Sequence, residues 1–357
     1  MSRVRMGAVS FEHGHQFGYL RAMLRLPQIE LVALSEPDDE LRARAEAELR
    51  ANRPDTPEAD LAPTTVRVLR DHHELLDAPD IDAVCIASAN VSHHALTLRA
   101  AAAGKHVLCE KPLALVASDA KEMLDAAEAA GVVHATNFNQ RGRTPVGRMK
   151  QHMEAGYIGQ LFHANIWWGQ TQAVEDKPEV ASWRFKAEDG GGPVYELIHV
   201  FDMARLIGGE IKRVCALLTT SVPHRSFPDG EEVEVDVPDS GGYLLEWVNG
   251  GYAVVHTSFV SKGGDADGRT NPRIEISGSE GRLENKGITE ILGVHGVSGP
   301  LQYVEPGPEY PHPYRQFVDA ILNGTPVRTS FYDGMKAAEI VDAAFLSSRE
   351  DRWVDLN

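Results

Sequence analysis

The chain has 357 residues, of which 43% are hydrophobic, and a formal net charge of -17. That length exceeds what one core comfortably organises, so two domains are expected. The negative balance, with no stripe of Lys and Arg, excludes a nucleic-acid surface or an anionic membrane as partner. No apolar run approaches the ~20 residues of a spanning helix. Met1 leads straight into an apolar strand pattern without a signal peptide, and the odd set Cys85, Cys109 and Cys215 fits small buried hydrophobes in a reducing compartment. The expectation is a soluble, cytoplasmic protein.

In chain order, strand 4–9, helix 16–26 and strand 29–35 open a βαβ pattern, and an Ala-rich helix follows from about Asp38 to Arg50. The stretch from Arg53 to Pro63, with three prolines, reads as a loop. Strand 65–68, helix 71–77 and the apolar strand 81–88 continue the alternation. Helix 92–103 stops at Gly104, strand 105–109 follows, helix 117–130 ends at Gly131, and strand 132–136 closes the series. Such alternation predicts a doubly wound α/β domain over residues 1–137, with a parallel sheet covered on both faces.

After Asn137 the pattern becomes α+β. It has helix 144–155, strands near 160–170, a helix over 194–207 and a strand-rich stretch from Arg213 to Gly293. Residues 243–248 and 252–260, joined by Asn249-Gly250-Gly251, are the clearest hairpin. A helix from Asp333 to Ser348 is expected to finish a second domain, 138–357, built on a large, mostly antiparallel open sheet. That open sheet must bury a face, and an identical sheet from a second copy is the economical partner, giving a homodimer or homotetramer.

At the first strand-to-helix turn of such a domain a dinucleotide pyrophosphate is bound by Gly-x-Gly-x-x-Gly. Here the turn reads Ser10-Phe11-Glu12-His13-Gly14-His15, so only Gly14 remains. An ordinary turn reads the same way in isolation. Glu36, however, ends the second strand 21 residues after His15, where a carboxylate accepts from ribose hydroxyls and repels a 2′-phosphate. That position predicts NAD in preference to NADP.

The order and spacing of Ala89-Asn90-Val91-Ser92-His93, Gly104-Lys105-His106-Val107 and Glu110-Lys111-Pro112 resemble the Gfo/Idh/MocA oxidoreductases. Further matches are Asn139-Gln140-Arg141, Gly156-Tyr157-Ile158-Gly159, Trp183-Arg184, Gly190-Gly191-Gly192, the run from Glu196 to Asp202, Ile276–Gly281 and the segment 314–356. Nearly the whole chain is covered. The resemblance implies a Rossmann domain that binds NAD through Ser10, Phe11, Glu12, His13, Gly14, Glu36, Ser88, Asn90, His93, Glu110, Lys111 and Pro112. It also implies a dehydrogenase acting on a sugar or cyclic polyol. Lys111, at the carboxyl end of a parallel strand, is expected to face the nicotinamide and stabilise alkoxide character on the substrate. A surface lysine before proline is the plain alternative when the tripeptide stands alone.

Glu196 and His199 lie three apart on the expected helix, with Asp202 three further on, so they share a face. With a reference pKa of ~6.5, histidine suits proton abstraction near neutral pH, and His199 is assigned as general base with Glu196 and Asp202 as supports. A buried structural histidine among Val194, Leu197, Ile198 and Phe201 reads equally from these residues alone. Many family members carry Asp four residues before this His, where Tyr195 stands here. The pocket residues expected to meet substrate are Lys111, Arg141, Trp183, Arg184, Tyr195 and His199. The pairs His13/His15, His72/His73 and His93/His94 show no further ligand at recognisable spacing, so no metal is expected. Two alternatives accompany the dehydrogenase reading. An NAD-requiring glycoside-cleaving enzyme releases no net NADH, and a non-catalytic ligand sensor has no use for Lys111 and His199 together.

Overall fold

A computed structural model describes residues 3–52, 66–171, 185–226, 232–263 and 271–356. The expected loop from Arg53 to Pro63 lies outside them. By Cα packing the chain forms two compact units: Met1–Asn137 with Pro313–Met335, and Phe138–His312 with Lys336–Asn357.

The first unit holds six parallel strands, β1 (Val4–Val9), β2 (Ile29–Ser35), β3 (Arg67–Leu69), β4 (Ala83–Ile86), β5 (His106–Cys109) and β6 (His134–Thr136), in the order β3-β2-β1-β4-β5-β6. Between them run α1 (His15–Arg25), α2 (Asp39–Ala51), α3 (His72–Asp77), α4 (His93–Ala102) and α5 (Ala117–Ala129). Alternate strand residues Val4, Met6, Ala8, Ala83, Cys85 and Leu108 pack with Phe17, Leu20 and Met23 of α1 on one face. At Gly7 the opposite face comes so close to α3 that an added Cβ would lie 2.6 Å from Leu75. Asp38 and Asp71 cap α2 and α3 by accepting from Leu41 N and His73 N, which satisfies helix-end donors.

The second unit carries α6 (Gln140–Arg143), α7 (Val146–Glu154), α8 (Pro193–Glu196) and α9 (His199–Gly208). Its strands are β7 (Leu161–Gly169), β8 (Ile211–Thr219), β9 (His224–Ser226), β10 (Glu232–Glu234), β11 (Ser240–Trp247), β12 (Tyr252–Ser258), β13 (Arg273–Gly278), β14 (Gly281–Lys286), β15 (Glu290–His295), β16 (Gln302–Val304) and β17 (Val354–Asp355). Nine of these form a sheet in the order β16-β15-β14-β13-β7-β12-β11-β8-β17, antiparallel except for β7 beside β12. The β11–β12 hairpin turns through Gly250 and Gly251, at φ 89 and 81, while Asn249 is not among the positive-φ residues. Burial alternates along β11 and β12, so one face joins α9 in the core and the other is exposed. Trp247 pins α9 to that core by donating from Nε1 to Ala204 O at 3.1 Å.

Three expectations need correction. Helix α10 (Pro313–Asn323) falls in the span assigned to the second domain, yet Tyr314, Phe317 and Val318 pack into the first unit's core. They cover apolar strand surface that α1 does not reach, and this burial draws 313–335 out of the expected 138–357 domain. Helix α11 (Phe331–Glu350) does not finish the fold, because β17 follows it and pairs with β8. The helix expected over 194–207 is two helices. Leu197, at φ -99 and ψ 20, interrupts it, and Ile198 N and Val200 N make tight-turn bonds to Tyr195 O and Leu197 O. Leu197, Ile198, Val200 and Phe201, on both sides of the break, are all buried.

Candidate active site

The strand order reverses between β1 and β4, so the turn after β1 lies at the carboxyl edge of the sheet at a topological switch point. Ser10 there has φ 63, a left-handed conformation usual for glycine and uncommon for serine. Buried Glu36 holds it. Its Oε2 accepts from Phe11 N at 2.6 Å and Ser10 Oγ at 3.2 Å, and its Oε1 accepts from Asp38 N at 2.9 Å. Exposed Glu12 accepts from Ala89 N at 2.9 Å, tying the turn to the loop after β4. The backbone bend of the missing first glycine is therefore kept by side-chain acceptors. Gly14, the one glycine retained, has an ordinary helical φ of -57 and no neighbour within 4 Å of an added Cβ. This bend at a switch point fits a dinucleotide, whereas the Glu12 carboxylate stands where the fingerprint has glycine.

Glu110 and Lys111 follow β5 and are both buried. Glu110 Oε2 accepts from Tyr19 OH and from Asn137 Nδ2, the latter at 3.2 Å, while Oε1 lies 3.2 Å from His15 Nδ1. Burial pushes this carboxyl up, but His15, His13 and Lys111 outweigh it and hold Glu110 well below the usual carboxylate range. Burial, reinforced by Glu110, raises the Tyr19 phenol, which stays a donor. His93, fully buried, spans the loops after β4 and β5, with Nδ1 2.8 Å from Pro112 O and Nε2 3.2 Å from Ser88 O. Desolvation lowers its pKa, and a neutral imidazole has one N–H to share between the two carbonyls. Ser88 and Asn90 are buried in the same loop.

In the second unit, His199 begins α9 and is 3% exposed. The rings of Phe138 and Trp168 lie 5.8 and 5.9 Å from its own, centroid to centroid. Glu196 ends α8, so it and His199 do not share one helix face as expected. Asp202 does lie on α9 with His199, but its carboxylate forms a buried bidentate pair with Arg141, at 2.9 Å from Nε and 2.5 Å from Nη2. Arg141, expected to meet substrate, thus has its fork on Asp202. Tyr195 packs on Phe345, and burial with nearby Asp342 pushes its phenol up to about 12. Gly192, at φ 86, sits where an added Cβ would lie 2.9 Å from Pro238 O, so this member of the triplet has to be glycine. Trp183 and Arg184 lie outside the described residues.

Sequence reasoning passes over Tyr19, Asn137 and Phe138. None belongs to a motif, and only the α1 face and the end of β6 place them.

A switch-point turn with a glycine-like bend, and a buried Lys at the end of a parallel strand, define an NAD-binding oxidoreductase. Residues 14–138 match the oxidoreductase family with NAD-binding Rossmann fold, and residues 146–284 match the GFO/IDH/MocA C-terminal domain. The chain belongs to the Gfo/Idh/MocA oxidoreductase family. It is 31% identical to levoglucosan dehydrogenase of Pseudarthrobacter phenanthrenivorans, over 80% of this chain and 83% of that protein. It is 29% identical to myo-inositol 2-dehydrogenase of Thermotoga maritima, over 81% and 84%. Levoglucosan dehydrogenase in complex with NADH and L-sorbose superposes with a TM-score of 0.84 at 27% identity, over 99% of both chains.

Proposed function

We propose that this protein transfers a hydride between NAD and a hydroxyl-bearing carbon of a sugar, sugar derivative or cyclic polyol. The observation that carries the reading is buried Lys111 at the carboxyl end of β5, one residue from an ionised Glu110. Nicotinamide, when bound, accepts the hydride. Lys111 donates a hydrogen bond to the substrate oxygen and stabilises its alkoxide character as the C–H bond breaks. His199 takes the hydroxyl proton as general base. Its ring is fixed by Phe138 and Trp168, so little reorganisation accompanies the transfer. Arg141 and Asp202 act as positioning residues, since their pair anchors α6 to α9. Glu196 is the second candidate for the proton. Ser10, Glu36, Ser88, Asn90 and His93 shape the cofactor side, Glu36 by holding the turn.

The substrate class follows the relatives, which act on levoglucosan and myo-inositol by their names. A panel of sugars, anhydrosugars and inositols, followed by NADH absorbance, tests the reading. Substrate consumption with no net NADH would redirect it to redox-assisted glycoside cleavage.

The exposed face of β8, β11 and β12 carries Leu217, Leu244, Tyr252 and Val254, each at least 40% exposed. Covering this apolar face with a second copy gives a homodimer. Light scattering on wild type and Leu244→Lys measures it, a monomeric wild type being the contrary result. No described helix is long and apolar enough to cross a membrane.

A further inference from the structure

We propose that His13, His15 and Glu110 form a binding site for a divalent transition-metal ion of the Zn2+ class. In sequence the two histidines look isolated, and the expectation of no metal follows from that. The fold brings in Glu110, 95 residues beyond His15. One ligand atom from each residue then lies within 4.8 Å of the other two.

One donor pair already has the spacing of two ligands on one ion. A Zn2+ ion takes imidazole nitrogen at ~2.0–2.1 Å and carboxylate oxygen at ~2.0–2.2 Å, so neighbouring donors sit roughly 3.0–3.5 Å apart. His15 Nδ1 and Glu110 Oε1 are 3.2 Å apart. The His13 and His15 rings meet edge to face with centroids at 4.4 Å. His13 Nδ1 accepts from His15 N at 3.4 Å, a contact at the outer limit of hydrogen bonding that a metal readily replaces. Two imidazoles and one carboxylate are a donor set for Zn2+, Co2+ or Fe2+ rather than for Ca2+ or Mg2+, which prefer all-oxygen shells.

The surroundings supply the other features of a working site. Tyr19 OH and Asn137 Nδ2 both hold Glu110 Oε2, leaving Oε1 directed at the histidine, as outer partners do for ligating carboxylates. The His15 side chain is 45% exposed, so an ion has a path in from solvent. Lys111 is the opposing influence, a cation one residue away, and it makes this an exchangeable site rather than a permanent structural one. The assignment stands on this geometry and does not depend on hydride transfer.

Tag-free protein, stripped with chelator, is titrated with Co2+ by visible absorption and with Zn2+ by calorimetry. The expected result is one equivalent bound with micromolar or tighter affinity. His15→Asn and His13→Asn should each weaken binding at least tenfold, with folding checked by circular dichroism. No saturable binding at one equivalent, or undiminished binding in both variants, overturns the proposal. Should His13→Asn fail to fold, the wild-type titration and the half-exposed His15 variant still decide it.

Discussion

The turn after β1 is held by carboxylates, whereas the stretch from α8 to α9 is held by packed apolar side chains. In the first region the residues of a dinucleotide fingerprint are replaced, yet the backbone bend survives because Glu36 and Ser10 hold it through side-chain bonds. In the second, Glu196, Leu197 and His199 are present, but the backbone leaves the helical path at Leu197, so α8 ends at Glu196 and α9 begins at His199. Residue identity and backbone geometry are thus separable. A polar anchor can stand in for glycine's conformational freedom, and a helical spacing in sequence need not become one helix in the fold.

The largest expected effect tests the end of β5. Lys111→Ala should lower turnover about 10²–10³-fold, the scale of removing one preorganised donor, while NADH affinity by calorimetry stays within about twofold. Normal turnover would remove Lys111 from its role. His199→Ala should lower oxidation by ~10²-fold or more and flatten its pH dependence. If Glu196→Gln does both and His199→Ala does neither, the broken helix delivers the carboxylate as base instead.

Next in size is the buried pair of the second region. Asp202→Asn leaves the Arg141 guanidinium buried without its counter-charge, and loss of ~3–5 kcal/mol is expected, read as a fall in the denaturant midpoint. A change under about 1 kcal/mol would mean that water reaches the pair. In the first region, Glu36→Gln should loosen the Ser10 turn and reduce the preference for NAD over NADP by about tenfold, equivalent to ~1.4 kcal/mol. Unchanged preference would restrict Glu36 to holding the backbone.

The smallest effect is one of pH. Desolvation lowers the pKa of buried His93, and of His106 and His134. Between the ordinary value near 6.5 and their lower folded values, the unfolded chain binds more protons, so stability rises with pH. Acidifying from pH 7 to pH 5 should therefore lower the melting temperature, and His93→Gln should shallow the slope. A melting temperature that rises on acidification contradicts these shifts.

The alternation of residues 4–136 is legible because each strand and helix is a local pattern bounded by Gly104, Gly131 or an acidic cap. Helix α10 is not, since its destination is the surface of β1, β5 and β6, far earlier in the chain, and only packing shows it. Lys111 and His199 are legible through motif spacing. The partners that set their surroundings, Tyr19, Asn137, Phe138 and the Arg141–Asp202 pair, are contacts made by the fold, with no periodic signature. The Leu197 break has no signal in the sequence, because the spacing of Leu197, Ile198, Val200 and Phe201 is itself helical.

The outer edge of β8 is a sheet margin, and such a margin, if its backbone donors were left free, is the kind of edge on which chains can grow end to end. Here α11 and the tail after it close that edge with little strand. Ser347 Oγ and Ser348 Oγ accept from Ala216 N and Leu218 N, each at 2.9 Å. β17 pairs beside them, and Leu356 N donates to Lys212 O at 2.8 Å. Two hydroxyls and the short strand β17 therefore keep this margin paired. Loss of β17 to proteolysis places solubility at risk while leaving every proposed catalytic residue untouched.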